Sequence, residues 1–532
     1  MSGMRPDLSG VDPLTVNLTH RVCIGDQPTR SAHLYGDRPA VVDGDITVSH
    51  RELEARANAL ARGLAQRGYE RGDAVAMQLQ NRWEFVVTFF ALAKLGVVAM
   101  PLNLMLSPGD VAYQLEDSGV RAVVTESAFA SVLGIALVEA DGAAVREVFV
   151  VGEAVDEIGG VPAVAWSSVF SDDVSPPAAI VEDRDIVHCL YTSGTTSRPK
   201  GVVTSHVAVH ISNLSSALGL GLRPDTDAVV QPIVLPLFHV TALDALLLPT
   251  LLVGGTAVLL RGFDPAALAD TLDRHRVTHL TLLPMMWAAL IAQPALTDHN
   301  TASLITCLYA MAPMPADLVQ AVRDRFANAA VILGSGQTET TPASELQWAG
   351  HQGVKDGSWG PATVSTDIAI LDGEGNLLPP NEIGEIVYRS PQLMEGYWNN
   401  AAANTEAFAH GWFHGGDIGY LDEEGVVWFT DRAKDIIKSG GENVSSVEVE
   451  RVLLGHPEVA EVAVVGRPDE HWGEAVTAVV VLSPEAGVTG DGLREWSRER
   501  LAGFKAPKQV IVVDALPKTA TGKIQKHVVR TM

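Results

Sequence analysis

Helical and strand periodicities alternate through most of the chain, and this alternation constrains the fold more than any other feature. The stretch "TVSHRELEARANALARGLAQRG" puts Leu53, Ala57, Leu60, Ala61 and Leu64 on one helical face, with Ser49 and Glu52 spaced as a capping box and Gly68 as the stop. "AVAMQL" then reads as a buried strand, Trp83 to Leu95 as a second helix ended by Gly96, and "VVAMPL" as another strand. The pattern resumes around residues 264 to 333, where "FDPAALADTLDRHRV" precedes "THLTLLP" and "ADLVQAVRDRF" precedes "AVILGSG". Strands separated by helices build a parallel sheet covered on its faces, so the fold class is α/β.

A chain of 532 residues is longer than one hydrophobic core serves, and the texture changes twice. After residue 363 come short strands and turns, "TDIAILDGEGNLLP", "GEIVYRS" and "GYLDEEGVVWFTD", as in hairpins or a small distorted barrel. Past Lys434, "SSVEVERVLLGHP" and "DGLREWSRERLAG" read as helices and "VAEVAVVGRPD" and "AVTAVVVLS" as strands, a small α+β unit of about 100 residues. The expected domains are residues 1–431 and 432–532, with a hinge in "DRAKD" near Lys434.

The longest apolar runs contain Lys94 with Gly96, or Asp244, Pro249 and a glycine pair, which predicts buried helix-turn-strand units and no membrane span. A formal charge of -26 repels a phosphodiester backbone, so no nucleic-acid partner is expected. Cys23, Cys189 and Cys307 lack metal-ligand or CxxC spacing, and the first residues lack the apolar core of a signal peptide. A reducing, cytoplasmic setting is the expectation.

"YTSGTTSRPKG", Tyr191 to Gly201, sets hydroxyls and a glycine ahead of Lys200. Backbone N–H groups, hydroxyls and one ammonium suit a polyphosphate, yet the Walker pattern is not matched because Pro199 precedes the lysine and no Ser or Thr comes after it. Together with "GQTETTP", "WFHGGDIGYLDEEG" with "DRAKDIIKSGGENVSSVEVE", and "PKTATGKI", in that order, the loop resembles the adenylate-forming superfamily of acyl-CoA synthetases, aryl-CoA ligases, luciferases and adenylation domains.

The resemblance implies a large N-terminal adenylation domain and a mobile C-terminal one, using ATP, Mg2+ and coenzyme A on a small carboxylic acid. Thr192, Ser193, Gly194, Thr195, Thr196 and Lys200 then grip the β- and γ-phosphates, while Thr338 and Glu339 meet the α-phosphate and the magnesium ion. Asp417, helped by Arg432, accepts from the ribose hydroxyls, and Ala312, Pro313, Ser335 and Phe429 border the nucleotide. His239, Met311 and Gly336 are placed at the acid pocket, Gly440 and Gly441 at the CoA tunnel, and Lys434 at the hinge. Lys523 is matched to adenylation and Lys438 to the thioester step. Ser335 stands where the family usually has an aromatic ring stacked on adenine, and Phe429 offers a compensating contact. The resulting expectation is an AMP-forming acid:CoA ligase. The alternatives are an acyl carrier protein as acceptor, or nitrite activation for arylamine diazotisation; a homo-oligomer is left open.

Overall fold

The computed structural model describes residues 7–153, 155–192, 198–224, 229–298, 301–310, 314–484, 486–518 and 524–532. They form two compact units. The first runs to Thr192, takes in Lys200–Asp367 and ends with Arg389–Thr405; the second takes in Arg198 and Pro199 and comprises Ile368–Tyr388 and Glu406–Met532.

The first unit is built on a nine-stranded sheet in the order Gly396–Tyr397, Lys200–Ser205, Ile186–Thr192, Val98–Pro101, Ala74–Gln78, Ala122–Glu126, Glu147–Val151, Val161–Ala165 and Glu157–Ile158. Its middle strands pair in parallel, as helix-strand alternation requires, and the pairings at its two ends are antiparallel. A four-stranded sheet orders Val230–Ile233, Thr256–Leu259, Pro39–Asp43 and Ile46–Ser49. Another orders His279–Leu282, Thr306–Ala310, Ala330–Gly336 and Ala343–Leu346, the last strand antiparallel.

Local chemistry sets the helices. Ser49 Oγ accepts from the Glu52 N–H at 3.2 Å while Glu52 Oε2 accepts from the Ser49 N–H at 2.8 Å, so the predicted capping box starts helix His50–Gln66. Helix Trp83–Leu95 is buried on all sides, with Phe85, Phe89 and Phe90 fully enclosed, and Gly96 ends it in the left-handed region at φ 68°. Both long apolar runs are helix-turn-strand units, and no described helix is long and apolar enough to cross a membrane.

Lys94, in the last turn of that helix, is 2 % exposed and ion-pairs with Glu54 at 2.9 Å. Thr29 and Asn58 supply further hydrogen bonds to the pair.

In the second unit, Val426–Arg432, Phe413–Leu421, Gly384–Arg389 and Asp367–Leu371 lie side by side, with register shifts at Ile386/Val387 and Ile418/Gly419 that bend the sheet. Beyond it, the long hairpin of Val459–Asp469 and Gly473–Leu482 packs against helices Ser446–Leu454 and Gly490–Arg498 around Val449, Leu453, Val464, Val476 and Leu493. The first helix ends on its last apolar residue, Leu454, ahead of Gly455 and Pro457, whereas the second stops before Leu501, where Ser497 Oγ donates to the Arg494 carbonyl at 2.7 Å, competing with the helical ladder.

Because Glu54 sits in the core beside the Lys94 ammonium, Lys94→Met should cost about 3–5 kcal/mol in urea unfolding. Lys94→Met/Glu54→Leu should recover at least half of that loss. A single variant as stable as the parent would show that the pair is not buried as described.

Candidate functional site

Thr192 and Lys200 are direct partners in the antiparallel pairing of Ile186–Thr192 with Lys200–Ser205, so the strands bring the two ends of the phosphate loop side by side. Ser193, Gly194, Thr195 and Thr196 lie outside the described residues, as do Met311, Ala312, Pro313 and Lys523.

The loop's flanks are braced. The Tyr191 hydroxyl donates to Asp117 Oδ2 at 2.6 Å, and the Trp398 indole N–H donates to the Asp117 carbonyl at 2.9 Å. Burial, with Cys189 and Asp117 nearby, pushes the Tyr191 phenol above its ordinary range, so it remains a donor at neutral pH.

The two-residue strand Gly396–Tyr397 pairs with Val202 and Val203, and this places Tyr397 beside the lysine. Lys200 Nζ stands 4.4 Å from the centroid of the Tyr397 ring, and the Tyr397 hydroxyl donates to Glu339 Oε1 at 2.9 Å. Lys200 and Glu339, far apart in sequence, are thus joined through one tyrosine. The motif reading did not single out Tyr397; a Gly-Tyr pair after a loop carries no signal of its own.

Thr338 and Glu339 sit on a 3-10 turn, Thr338–Thr340, between the strands Ala330–Gly336 and Ala343–Leu346. Gly336 has φ 151°, and a Cβ there would meet the Pro342 carbonyl oxygen at 1.5 Å, so only glycine fits. Thr341 is left-handed at φ 57°, an unusual state for a β-branched residue. Its carbonyl accepts from Ser212 Oγ, and the Gln392 amide donates to the Thr340 and Ala343 carbonyls at 2.8 Å each. Ser335, on the strand leading into the turn, is half-buried and pairs with Glu345. His239 is half-buried, its ring 5.6 Å from that of Phe238, immediately before a π-helix at Thr241–Leu247.

No cluster of three or more His, Cys, Asp or Glu among the described residues could enclose a metal by itself. Glu339 nevertheless suits magnesium. Tyr397 engages one carboxylate oxygen, a carboxylate has about four acceptor positions, and magnesium takes one or two carboxylates plus phosphate oxygens and water.

In the second unit Asp417 is 1 % exposed and pairs with Arg432 through Nε at 2.7 Å, the two being register partners on adjacent strands. Phe429 is half-buried on the same strand as Arg432, opposite Gly419. Lys434 lies in the turn after that strand, and Arg530 donates to its carbonyl at 3.0 Å. Lys438 is exposed on Ile437–Ser439, the first strand of a hairpin closed by Gly440 and Gly441 at φ 62° and 86°, the two-residue turn that needs left-handed residues. The Gly440 N–H donates to the Trp472 carbonyl at 2.8 Å, and Lys508 Nζ lies 4.6 Å over the Trp472 ring.

A helix-covered parallel sheet with a phosphate-type hairpin, joined in the same chain to a small α+β unit, is the architecture of an adenylate-forming enzyme. The chain belongs to the AMP-binding enzyme family, whose model matches residues 28–398, and the model of that family's C-terminal domain matches residues 448–523. It is similar to a feruloyl-CoA synthase from an Amycolatopsis species, 37% identical over 95% of this chain and 98% of that protein. It is also 35% identical to the long-chain-fatty-acid–CoA ligase FadD13 of Mycobacterium tuberculosis, over 91% and 93% of the two chains. Among solved structures it resembles the o-succinylbenzoate CoA synthetase MenE of Bacillus subtilis in complex with its acyl-adenylate, with TM-score 0.82, 32% identity, and 95% and 98% of the chains covered. The chain is accordingly an AMP-forming acid–CoA ligase.

Tyr397→Phe keeps the ring under Lys200 but removes the donor to Glu339. kcat/KM for ATP should fall about tenfold, with a higher magnesium requirement, and Glu339→Gln should lose more. Wild-type magnesium dependence in Tyr397→Phe would separate the tyrosine from the metal carboxylate.

Proposed function

We propose that the protein activates an aryl or arylalkenoic acid with MgATP and passes the acyl group to coenzyme A. The observation that supports this most is the Lys200, Tyr397 and Glu339 assembly, which joins a phosphate cation to a magnesium carboxylate within one unit. Bound magnesium supplies positive charge to the triphosphate oxygens.

In the first half-reaction a carboxylate oxygen of the acid forms a bond to the α-phosphorus, and the bond to the β-phosphate oxygen breaks, releasing pyrophosphate. Lys200, with the hydroxyls and N–H groups of Thr192 to Thr196, holds the departing phosphates, and Thr338 donates to an α-phosphate oxygen. The Asp417 carboxylate, paired with Arg432, takes the ribose hydroxyls. Ser335 offers the purine no aromatic ring, and Phe429 is the ring that the sequence resemblance assigns to the nucleotide. In the second half-reaction the thiol sulfur attacks the acyl carbonyl carbon and AMP departs with the bonding pair.

An aromatic acid is favoured by the similarity to feruloyl-CoA synthase and to MenE, whose complex holds an o-succinylbenzoyl adenylate. A straight-chain acid is the second reading, favoured by the similarity to FadD13. Pyrophosphate release measured over cinnamate-type, benzoate-type and fatty acids separates them, with nitrite plus arylamine as a further arm. An acyl carrier protein in place of coenzyme A, tested as acceptor in the same assay, decides the thiol.

Two lysines of the C-terminal region, Lys523 and Lys438, are assigned to successive half-reactions, with Lys434 as the pivot between them. Lys523→Ala should abolish pyrophosphate release yet still convert a supplied acyl-adenylate and coenzyme A into thioester. Lys438→Ala should do the reverse, and Lys434→Pro should behave like Lys438→Ala. Equal loss of both half-reactions in a folded Lys523→Ala would reject the alternation.

A further inference from the structure

The π-helix Thr241–Leu247 is held in its register by contacts that neither the family motifs nor the periodicity account for. The Leu243 N–H donates to the His239 carbonyl at 3.0 Å, an α-type bond, but the Leu248 N–H reaches the Leu243 carbonyl five residues back, the π spacing. The next π bond cannot form, because Pro249, five residues after Asp244, has no N–H. The Asn213 amide fills that place from helix His206–Leu220: with its nitrogen facing the two carbonyls it donates to Asp244 O at 2.9 Å and Val209 O at 3.2 Å.

The Asp244 side chain is held from a third element. His188 Nε2 donates to Asp244 Oδ2 at 2.9 Å, and both side chains are fully buried. His188 lies on Ile186–Thr192, opposite Thr204, and four residues before Thr192 on the same strand face. A single acidic residue therefore ties the segment after His239 to the strand that ends in the phosphate loop. A buried pair of this kind is not needed for stability, since apolar side chains of similar volume serve as well; its attested use is to fix register.

We propose that His188 and Asp244, with Asn213, are positioning residues that set acid selectivity by holding Thr241–Leu247 in the π register. The proposal rests on the ligase reading and on its placing of His239, just ahead of this π-helix, at the acid pocket. Relaxation to an α-helix removes one residue from the turn and rotates the residues on one side of it by about 100°, so the side chains presented to an acyl group change without any change in the nucleotide residues.

The test is steady-state pyrophosphate release by His188→Leu/Asp244→Leu, Asp244→Asn and Asn213→Leu over cinnamate-type and straight-chain acids, with folding checked by thermal melting. The double variant should raise KM for the preferred acid about tenfold and narrow the discrimination between acid classes by a similar factor, while KM for ATP stays within about twofold. Asp244→Asn keeps an acceptor for His188 and should hold the acid KM within about threefold. Asn213→Leu should shift in the direction of the double variant, and carries the test alone if the double variant does not fold. A folded double variant, or Asn213→Leu, with parental acid KM and discrimination overturns the positioning role, as does an equal rise in KM for ATP. If the parent releases no pyrophosphate with any acid, the ligase reading fails and takes this role with it, an outcome distinct from an active parent with unmoved variants.

Discussion

The pairing of Ile186–Thr192 with Lys200–Ser205 is the constraint on which the first unit's chemistry depends. A loop that grips phosphates must hold its donors at fixed spacing, since reorganising them during the reaction would forfeit much of their electrostatic effect. Here both loop ends are ladder partners, Thr192 facing Lys200, and the ladder continues inward through Leu190 with Val202 and His188 with Thr204. Gly396–Tyr397 extends the sheet outward from Lys200–Ser205, and the Trp398 N–H donates to the Gly201 carbonyl at 2.7 Å. Gly201 has Cys189, Tyr191 and Trp398 within 3.3 Å of where a Cβ would stand, so the approach of these strands depends on a missing side chain.

The Thr338–Glu339 turn obtains its shape by the opposite means, local strain held in place by its surroundings. Gly336 and Thr341 both take positive φ, and the carbonyls turned inward at Thr340, Thr341 and Ala343 are met by Gln392 and Ser212. The Met394 N–H donates to the Glu339 carbonyl at 2.9 Å, in the same segment that delivers Tyr397 to the Glu339 side chain. Backbone and carboxylate of the metal-binding candidate are thus fixed by one stretch of chain, residues 392–397, which reaches the phosphate hairpin as well.

The sequence made the elements legible where a local rule sufficed. The capping box at Ser49 and the glycine stop at Gly96 each depend on neighbours within a few positions, and helices start or end there. The family motifs located Lys200, Glu339, Asp417 and Arg432, and the pairing of the last two arises from their register on adjacent strands. The features that were not legible depend on distant partners. Tyr397 matters because a two-residue strand lands on Val202 and Val203; Lys94, read as an interruption of an apolar run, is buried because Glu54 arrives from another helix. The π-helix escaped for a physical reason too: an apolar run such as "TALDALLLP" has no surface period to betray an extra residue in the turn.

The second unit bears on the proposed alternation of Lys438 and Lys523. Lys438 stands on a hairpin closed by a two-residue turn, which leaves little room for independent motion. The segment that contains Lys523 is bounded by an isolated antiparallel bridge between Lys518 and Ile524, and Lys526 is anchored to Glu450 at 2.7 Å and to Ser446 Oγ at 2.6 Å. Exchange of the two lysines by loop rearrangement would have to break these supports, whereas rotation about the backbone after Arg432 leaves them intact. That rotation meets its own resistance. Asp431, before the pivot, accepts from Ser446 Oγ at 2.7 Å and from the N–H groups of Ser446 and Val447, after it. Capping contacts of this size are worth about 1 kcal/mol each, small enough to be exchanged when a nucleotide or thiol ligand favours the other orientation, and large enough to keep the pivot in one state without it.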